Sequence, residues 1–213
     1  MTATIIGSTG LTGGCLIGAL LADHTITNIV SVSRKSLNVS SSRLTQVLVA
    51  DLAELPSFAG RARADIYFCA LGTTIKAAGS KGKFERVDHD AIVDFAKIAK
   101  AHGAQSFTLV SSMGANASSI FFYNRIKGRT ENDVTALGFR SLIIFRPALL
   151  IGPRHDFRMA ERLATKTLVP LSRLLPTRAR KSVVTNADAL ALRMLTEGKA
   201  ARRGVHVIPA ADI

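Results

Sequence analysis

Near the start of the chain, three glycines fall at intervals of three, in Gly7-Ser8-Thr9-Gly10-Leu11-Thr12-Gly13. Before them, Thr2 to Ile6 is a short apolar run that reads as a strand; after them, Leu11 to Leu21 reads as a helix. Glycine tolerates positive φ and has no side chain, so a turn built from it is tight and lets the backbone approach a bound group closely. The helix that follows adds unpaired N–H groups and a partial positive charge, which is what a pyrophosphate needs. Glycine triplets punctuate many loops, and the weight of this one comes from the strand before it and the helix after it.

The rest of the chain repeats the strand–helix alternation that marks βαβ units and a parallel sheet. Strands are expected at Thr27 to Ser33, Leu44 to Ala50, Ile66 to Leu71, Phe107 to Ser111 and Leu142 to Phe145, with a last one at Val205 to Ile208. Ser36 to Ser42 reads as a polar loop. Phe84, Val87, Ala91, Phe95, Ile98 and His102 share one helical face that Gly103 terminates, and a second helix runs from Phe122 to Leu137, ended by Gly138. After Pro147 the alternation weakens. Pro153, Pro170 and Pro176 break the segment, and its helices look short. The expected fold is α/β: a doubly wound, mostly parallel Rossmann sheet with helices on both faces. One domain covers 1–213, and a small substrate-side cap spans about 150–182.

Composition limits the alternatives. Cys15 and Cys69 fall in a helix and at a strand end, as small core residues do, so neither a disulfide framework nor a metal site is expected. No apolar run is long enough to span a membrane, and a strand starting at Thr2 leaves no room for a leader peptide. These two features predict a cytoplasmic protein. The formal net charge is +13, and the stretch from Arg154 to Arg203 holds 12 Lys and Arg against 4 Asp and Glu. That field suits anionic small molecules, acidic partners, nucleic acid or anionic lipid. The arginines are dispersed without interleaved aromatics, which favours a solvated basic surface over specific nucleic-acid binding.

The end of the second strand bears on which dinucleotide is bound. A chain that holds the ribose hydroxyls of NAD usually has Asp or Glu there. Here the sequence is Val32-Ser33-Arg34-Lys35, with two cations where a 2′-phosphate would lie. Arginine grips phosphate with paired donors and lysine adds a point charge, so NADP(H) is expected; a solvated pair at a loop start is the alternative. Further along, Tyr123 and Lys127 are four residues apart on one helical face. An ammonium near a phenol favours phenolate, and such a tyrosine exchanges a proton with an oxygen at neutral pH. Ser111 and Ser112 close the preceding strand, where a hydroxyl can bind the same oxygen.

Together the glycine loop, Ser33-Arg34-Lys35, Ser111-Ser112, Tyr123-x-x-x-Lys127 and Arg146-Pro147 resemble the atypical short-chain dehydrogenase/reductases. Three further segments are similar to a small branch that includes the HIV Tat-interacting protein, its bacterial homologues and a fungal mitochondrial relative. These are Cys69-Ala70-Leu71-Gly72-Thr73-Thr74, Val110-Ser111-Ser112-Met113-Gly114-Ala115 and Phe122-Tyr123-Asn124-Arg125-Ile126-Lys127-Gly128. The resemblance runs over essentially the whole chain. It implies Tyr123 as acid/base, Lys127 on the nicotinamide ribose, and Ser112 or Ser111 orienting the reacting oxygen. It also places Asp51 and Leu52 beside the adenine, Ala70, Leu71, Gly72 and Thr73 under the cofactor, and Pro147, Ala148 and Leu149 at the carboxamide. The serine-to-tyrosine spacing is shorter than is usual in the superfamily, which leaves open which serine faces the substrate.

Two functions are expected from these residues. One is an NADPH-dependent oxidoreductase reducing a carbonyl of a small molecule, for which Arg154, His155, Arg158 and Arg162 favour an anionic substrate or are merely a solvated face. The other is an NADPH-binding regulatory or sensor protein with little turnover, acting through a protein partner. A homodimer fits either, and the fungal relative adds a mitochondrial surface by analogy.

Overall fold

The computed structural model describes residues 1–61, 63–152 and 183–213, with backbone alone at 56–59 and 61. Its strands are β1 (Thr2–Ile6), β2 (Asn28–Ser33), β3 (Leu44–Leu48), β4 (Ile66–Cys69), β5 (Ser106–Val110), β6 (Ser141–Arg146), β7 (Leu149–Ile151), β8 (Val184–Asn186) and β9 (Gly204–Pro209). Seven of them form one sheet in the order β3-β2-β1-β4-β5-β6-β9, and every pairing is parallel. β7 and β8 make a separate parallel pair. The Rossmann order expected from the alternation is present, with a seventh parallel strand at its end.

Because helices cover both faces, the central strands are apolar on both sides. Side chains alternate along each strand. Tyr67, Cys69, Phe107 and Leu109 face one layer, containing α4 (Ala91–Ala101) and α5 (Phe122–Ala136). Ile5, Phe68, Ile143 and Phe145 face the other, containing α1 (Leu11–Ala22) and α6 (Ala187–Ala200). An aromatic row ties the first layer together, with ring centroids 5.6 Å apart for Tyr67–Phe95, 5.9 Å for Phe95–Phe107 and 4.9 Å for Phe107–Phe139. In the second layer Lys199 pairs with Asp23, joining the end of α6 to the end of α1.

Gly103 and Gly138 have φ of 72° and 66° and terminate their helices as expected. Other expectations need correction. The single helix expected from Phe84 to His102 is α3 (Lys81–Glu85), a π turn (Arg86–Asp90) and α4 in unbroken succession. A short α2 (Ile75–Ala78), capped by the Thr74 hydroxyl, and a 3₁₀ stretch (Leu52–Arg61) lie in segments with no expected element. The weak helices expected after Pro147 do not describe α6, which has 14 residues. The prolines that suggested a broken segment end at Pro176, and Asn186 then caps α6 by accepting from the Asp188 and Ala189 N–H groups. From 153 to 182 the expected cap lies outside the described residues, as do Arg154, His155, Arg158 and Arg162.

Two glycines in helices provide contrasting tests of this packing. A Cβ on Gly128 would sit 2.1 Å from the Ala117 nitrogen and 2.2 Å from the Asn116 carbonyl carbon, so α5 meets the 113–120 loop backbone to backbone. Gly18, exposed on α1, has nothing within 4 Å of that position. Gly128→Ala is expected to cost about 3 kcal/mol through overpacking. Gly18→Ala should gain about 0.5–1 kcal/mol from reduced backbone entropy in the unfolded chain. Urea unfolding of the two variants beside the parent measures both, and equal midpoints would contradict the packing described.

Candidate nucleotide and active site

At the exit of β1, Gly7 has φ of 82°, and a Cβ there would lie 2.5 Å from the carbonyl carbon and oxygen of Ala70 and 2.6 Å from the Leu71 nitrogen. No residue but glycine fits this close approach of the β1 and β4 exits. At Gly13 the same atom would be 2.1 Å from the Gly7 oxygen, so the first turn of α1 is pressed onto the turn itself. Gly10 donates its N–H to the Gly7 oxygen at 3.0 Å and serves as the α1 N-cap, with no side-chain cap and no acidic residue in the first turn. The helix start is therefore left to be satisfied by an anion. Among the described residues the Thr12 hydroxyl, buried there, has no hydrogen-bond partner. Ser8 turns inward and its hydroxyl pairs with that of Ser31 at 2.7 Å. Thr9 is exposed, and Leu11 lies beneath Gly152, whose Cβ would come within 2.7 Å of Leu11 Cδ1.

At the exit of β2, Ser33 is buried and its hydroxyl donates to the Lys35 carbonyl at 2.6 Å. That bond shapes a turn displaying Arg34 and Lys35 to solvent, and neither makes a salt bridge among the described residues. Asp51 is exposed and accepts the Ala53 N–H at 2.9 Å, capping the 3₁₀ stretch, while Leu52 is buried beside it.

At the exit of β5, the Ser111 N–H donates to the Phe145 carbonyl at 2.8 Å. The hydroxyl oxygens of Ser111 and Ser112 are both screened from solvent and, among the described residues, have no hydrogen-bond partner. Met113 donates its N–H to the Pro147 carbonyl at 2.9 Å, and Ala148 donates to the Thr185 hydroxyl at 3.0 Å, which ties Pro147, Ala148 and Leu149 into the same edge. Arg146 makes a two-pronged bond to the Glu131 carboxylate that anchors α5 to β6 and raises the arginine pKa further.

Tyr123 and Lys127 project from α5. The tyrosine is partly buried, with its ring 5.5 Å from that of Phe84. Lys127 is buried, and its ammonium lies 2.7 Å from Asp88 Oδ1 in the π turn. The second oxygen of Asp88 accepts the Thr73 N–H at 2.8 Å. A Cβ on Gly72 would stand 3.4 Å from that carboxylate and 3.7 Å from the ammonium, so the pair lies directly under the Gly72–Thr73 strip. Burial opposes the charge on Lys127, yet the attraction of Asp88 outweighs it and holds the lysine protonated, above its ordinary pKa. Asp88 is absent from the residues that sequence reasoning singled out, although a signal for it exists. It is four residues after Phe84 and three before Ala91, an acidic residue on the apolar stripe.

These features fit a dinucleotide: an uncapped helix start, a glycine-lined turn, exposed cations at the β2 exit and a buried ammonium beneath the β4 exit. A family model described as NAD(P)H-binding matches residues 7–172. The chain belongs to that NAD(P)H-binding family, in the branch of HTATIP2 and FMP52. Protein FMP52-1, mitochondrial, of Scheffersomyces stipitis is 38% identical over 157 residues, covering 73% of this chain and 70% of that protein. Protein HTATIP2 of Rattus norvegicus is 38% identical over 168 residues, covering 76% and 68%. Among solved structures, MoeE5 in complex with UDP-glucose and NAD superposes with a TM-score of 0.74 at 17% identity, over 98% of this chain and 75% of that one. The Bordetella bronchiseptica enzyme WbmH in complex with NAD+ gives 0.72 at 15%, over 97% and 74%. At such identities the likeness is one of fold.

The cytoplasmic location expected from the sequence is overturned. Relatives in Scheffersomyces stipitis, Emericella nidulans and Candida glabrata are named mitochondrial proteins. The expectation rested on a first strand beginning at Thr2 and on the apolar runs being short, whereas an address is read by receptors from local features that fold and composition do not encode. Among the described residues no helix is long and apolar enough to cross a membrane.

Cys69 ends β4 beneath this site, fully buried, and burial pushes its thiol up to about 12. Thiolate is the reactive form, so the native protein should leave Cys69 unalkylated at pH 8 and expose it only on unfolding. Peptide mapping after iodoacetamide treatment of native and denatured samples checks this; rapid labelling of Cys69 in the native state would contradict the burial.

Proposed function

We propose that the chain is an NADP(H)-dependent oxidoreductase that reduces a carbonyl of a small molecule. The observation that carries this reading is the pair of screened hydroxyls of Ser111 and Ser112, without a partner among the described residues, on the same sheet edge as the Gly72–Lys127 cluster. Leaving buried hydroxyls unpaired is costly, and a substrate oxygen is the acceptor that would satisfy them. In this reading one serine donates to the carbonyl oxygen and Tyr123 delivers the proton as the oxygen gains charge. Lys127 holds the nicotinamide ribose, and Pro147 to Leu149 meet the carboxamide. The reduced nicotinamide, when bound, supplies the hydride to the carbonyl carbon, so hydride and proton together yield the alcohol. The phenolate left on Tyr123 is reprotonated from water.

The selection of NADP(H) over NAD(H) is assigned to Arg34 and Lys35, whose exposure leaves them available to a 2′-phosphate. Each charge-assisted contact is worth roughly ten- to a hundredfold in affinity. Titration calorimetry of the double variant Arg34→Ala, Lys35→Ala should show NADPH affinity falling by about that factor or more while NADH affinity holds. Equal affinity of the parent protein for NADPH and NADH would remove this assignment.

One observation favours a second reading, an NADPH-binding sensor that acts through a protein partner with little turnover. The Lys127 charge is matched by Asp88, so the lysine does not stand beside Tyr123 as an uncompensated cation. Tyr123→Phe separates the two readings, because it keeps the ring against Phe84 and removes the hydroxyl. Loss of a general acid costs about 10²- to 10⁴-fold in rate. The oxidoreductase reading expects that loss across aldehydes, ketones and quinones, followed by NADPH absorbance, with cofactor affinity nearly unchanged. A parent protein that binds NADPH and oxidises it with none of the panel supports the sensor. Equal turnover by parent and variant would mean that Tyr123 is not the acid.

A further inference from the structure

Lys127 is a buried cation beside the apolar core, and one carboxylate, that of Asp88, stands against it. The helix running from Lys81 to Ala101 widens into a π turn at Arg86–Asp90, and this turn carries Asp88 to full burial. Single π turns are rare and occur disproportionately at functional sites, because the extra residue re-aims side chains that a regular helix would place elsewhere. Three groups from two parts of the chain then hold the carboxylate and its backbone. Lys127 of α5 reaches Oδ1 at 2.7 Å, the Thr73 N–H after β4 reaches Oδ2 at 2.8 Å, and the Thr130 hydroxyl of α5 donates to the Asp88 carbonyl at 2.8 Å. The other ionisable groups acting on Lys127 are Tyr123 from its own helix and Cys69 from β4.

We infer that Asp88 is the positioning residue for Lys127, fixing both the place of the ammonium beneath the Gly72–Thr73 strip and its charge. A lysine flanked only by Tyr123 and Cys69 has no anion to offset its lost hydration, and it would relax toward the neutral amine. Asp88 removes that option, and Gly72 places no methyl over the pair. The same carboxylate accepts from Thr73, so the strip and the lysine are held in one register. The consequence for cofactor binding rests on the reading of Lys127 as a ribose ligand; the charge and place of Lys127 do not.

The test reads Lys127 directly, by NMR titration of protein labelled with ¹³C at the lysine side chains, its signal assigned by loss in Lys127→Met. In the parent protein Lys127 should stay protonated beyond the ordinary lysine pKa; in Asp88→Asn it should titrate below that value. NADPH affinity of the Asn variant, unlike the parent's, should then fall about tenfold from pH 7 to pH 9 as the ammonium is lost. Should Asp88→Asn fail to fold, the reciprocal measurement applies: in Lys127→Met the Asp88 carboxyl, deprived of its cation, should remain protonated at neutral pH. The double variant Asp88→Asn, Lys127→Met should fold better than Asp88→Asn alone, because neither charge is then stranded. A Lys127 titration unchanged by Asp88→Asn, or an Asp88 that ionises normally in Lys127→Met, overturns the inference. A shifted Lys127 titration with pH-independent NADPH affinity sustains it and instead refutes Lys127 as a ribose ligand.

Discussion

Gly7 lies so close to Ala70 and Leu71 that a single methyl group would force the exits of β1 and β4 apart. β1 and β4 are neighbours in the sheet, and between them the strand order reverses, with β2 and β3 lying to one side and β5, β6 and β9 to the other. Crossovers leave this point in opposite directions, the arrangement in which a crevice forms outside the carboxyl ends of parallel strands. Because all seven strands are parallel, the glycine turn, the Ser33 turn, the Gly72–Thr73 strip and the Ser111–Ser112 exit all emerge at the same edge. A bulkier residue at position 7 would disturb the glycine turn and the strip that roofs Lys127 together. The glycine turn and the Lys127 cluster are joined through that one backbone contact.

Burying an ammonium beneath the second of these exits imposes its own condition. Around the aromatic row from Tyr67 to Phe139 the layer of α4 and α5 is apolar, although α5 also buries Thr130 and Glu131. A lone charge in such a medium is unfavourable, and a matched pair is tolerated only where its remaining bonding capacity is used. Asp88 meets this with Lys127 on one oxygen and Thr73 on the other. Lys127 is thereby a placed and compensated donor, a different object from the free cation that the Tyr-x-x-x-Lys spacing suggests.

How much of this could be read from the chain divides along the range of the interactions involved. The glycine turn, the alternation of strands and helices and the helix stops at Gly103 and Gly138 were legible, because each follows from local backbone preference or hydrophobic period. Tyr123 and Lys127 were legible as a pair because helical geometry fixes neighbours four apart. The pairing of Asp88 was not, since Lys127 belongs to a different helix far along the chain and only packing brings the two together. The inward turn of Ser8 toward Ser31 was hidden for the same reason. α6 was missed on local grounds: prolines upstream were allowed to colour a segment that has its own Asn186 cap and a full helical face in Leu190, Ala191, Met194 and Leu195.

Opposite ends of the crevice use positive charge under different physics. Arg34 and Lys35 stand in solvent on the β2 side, where water and salt screen them, so they attract a phosphate over a distance and their effect fades as ionic strength rises. Lys127 stands in the interior, where screening is slight and the nearest counterion is a fixed carboxylate. The first pair is suited to discriminating between ligands that differ in charge, because an exposed cation is stable with or without its anion. The second is suited to holding one hydrogen-bonding geometry, because its position is set before any ligand arrives. The two groups of positive charge share no residue, and substitutions at them are expected to act independently.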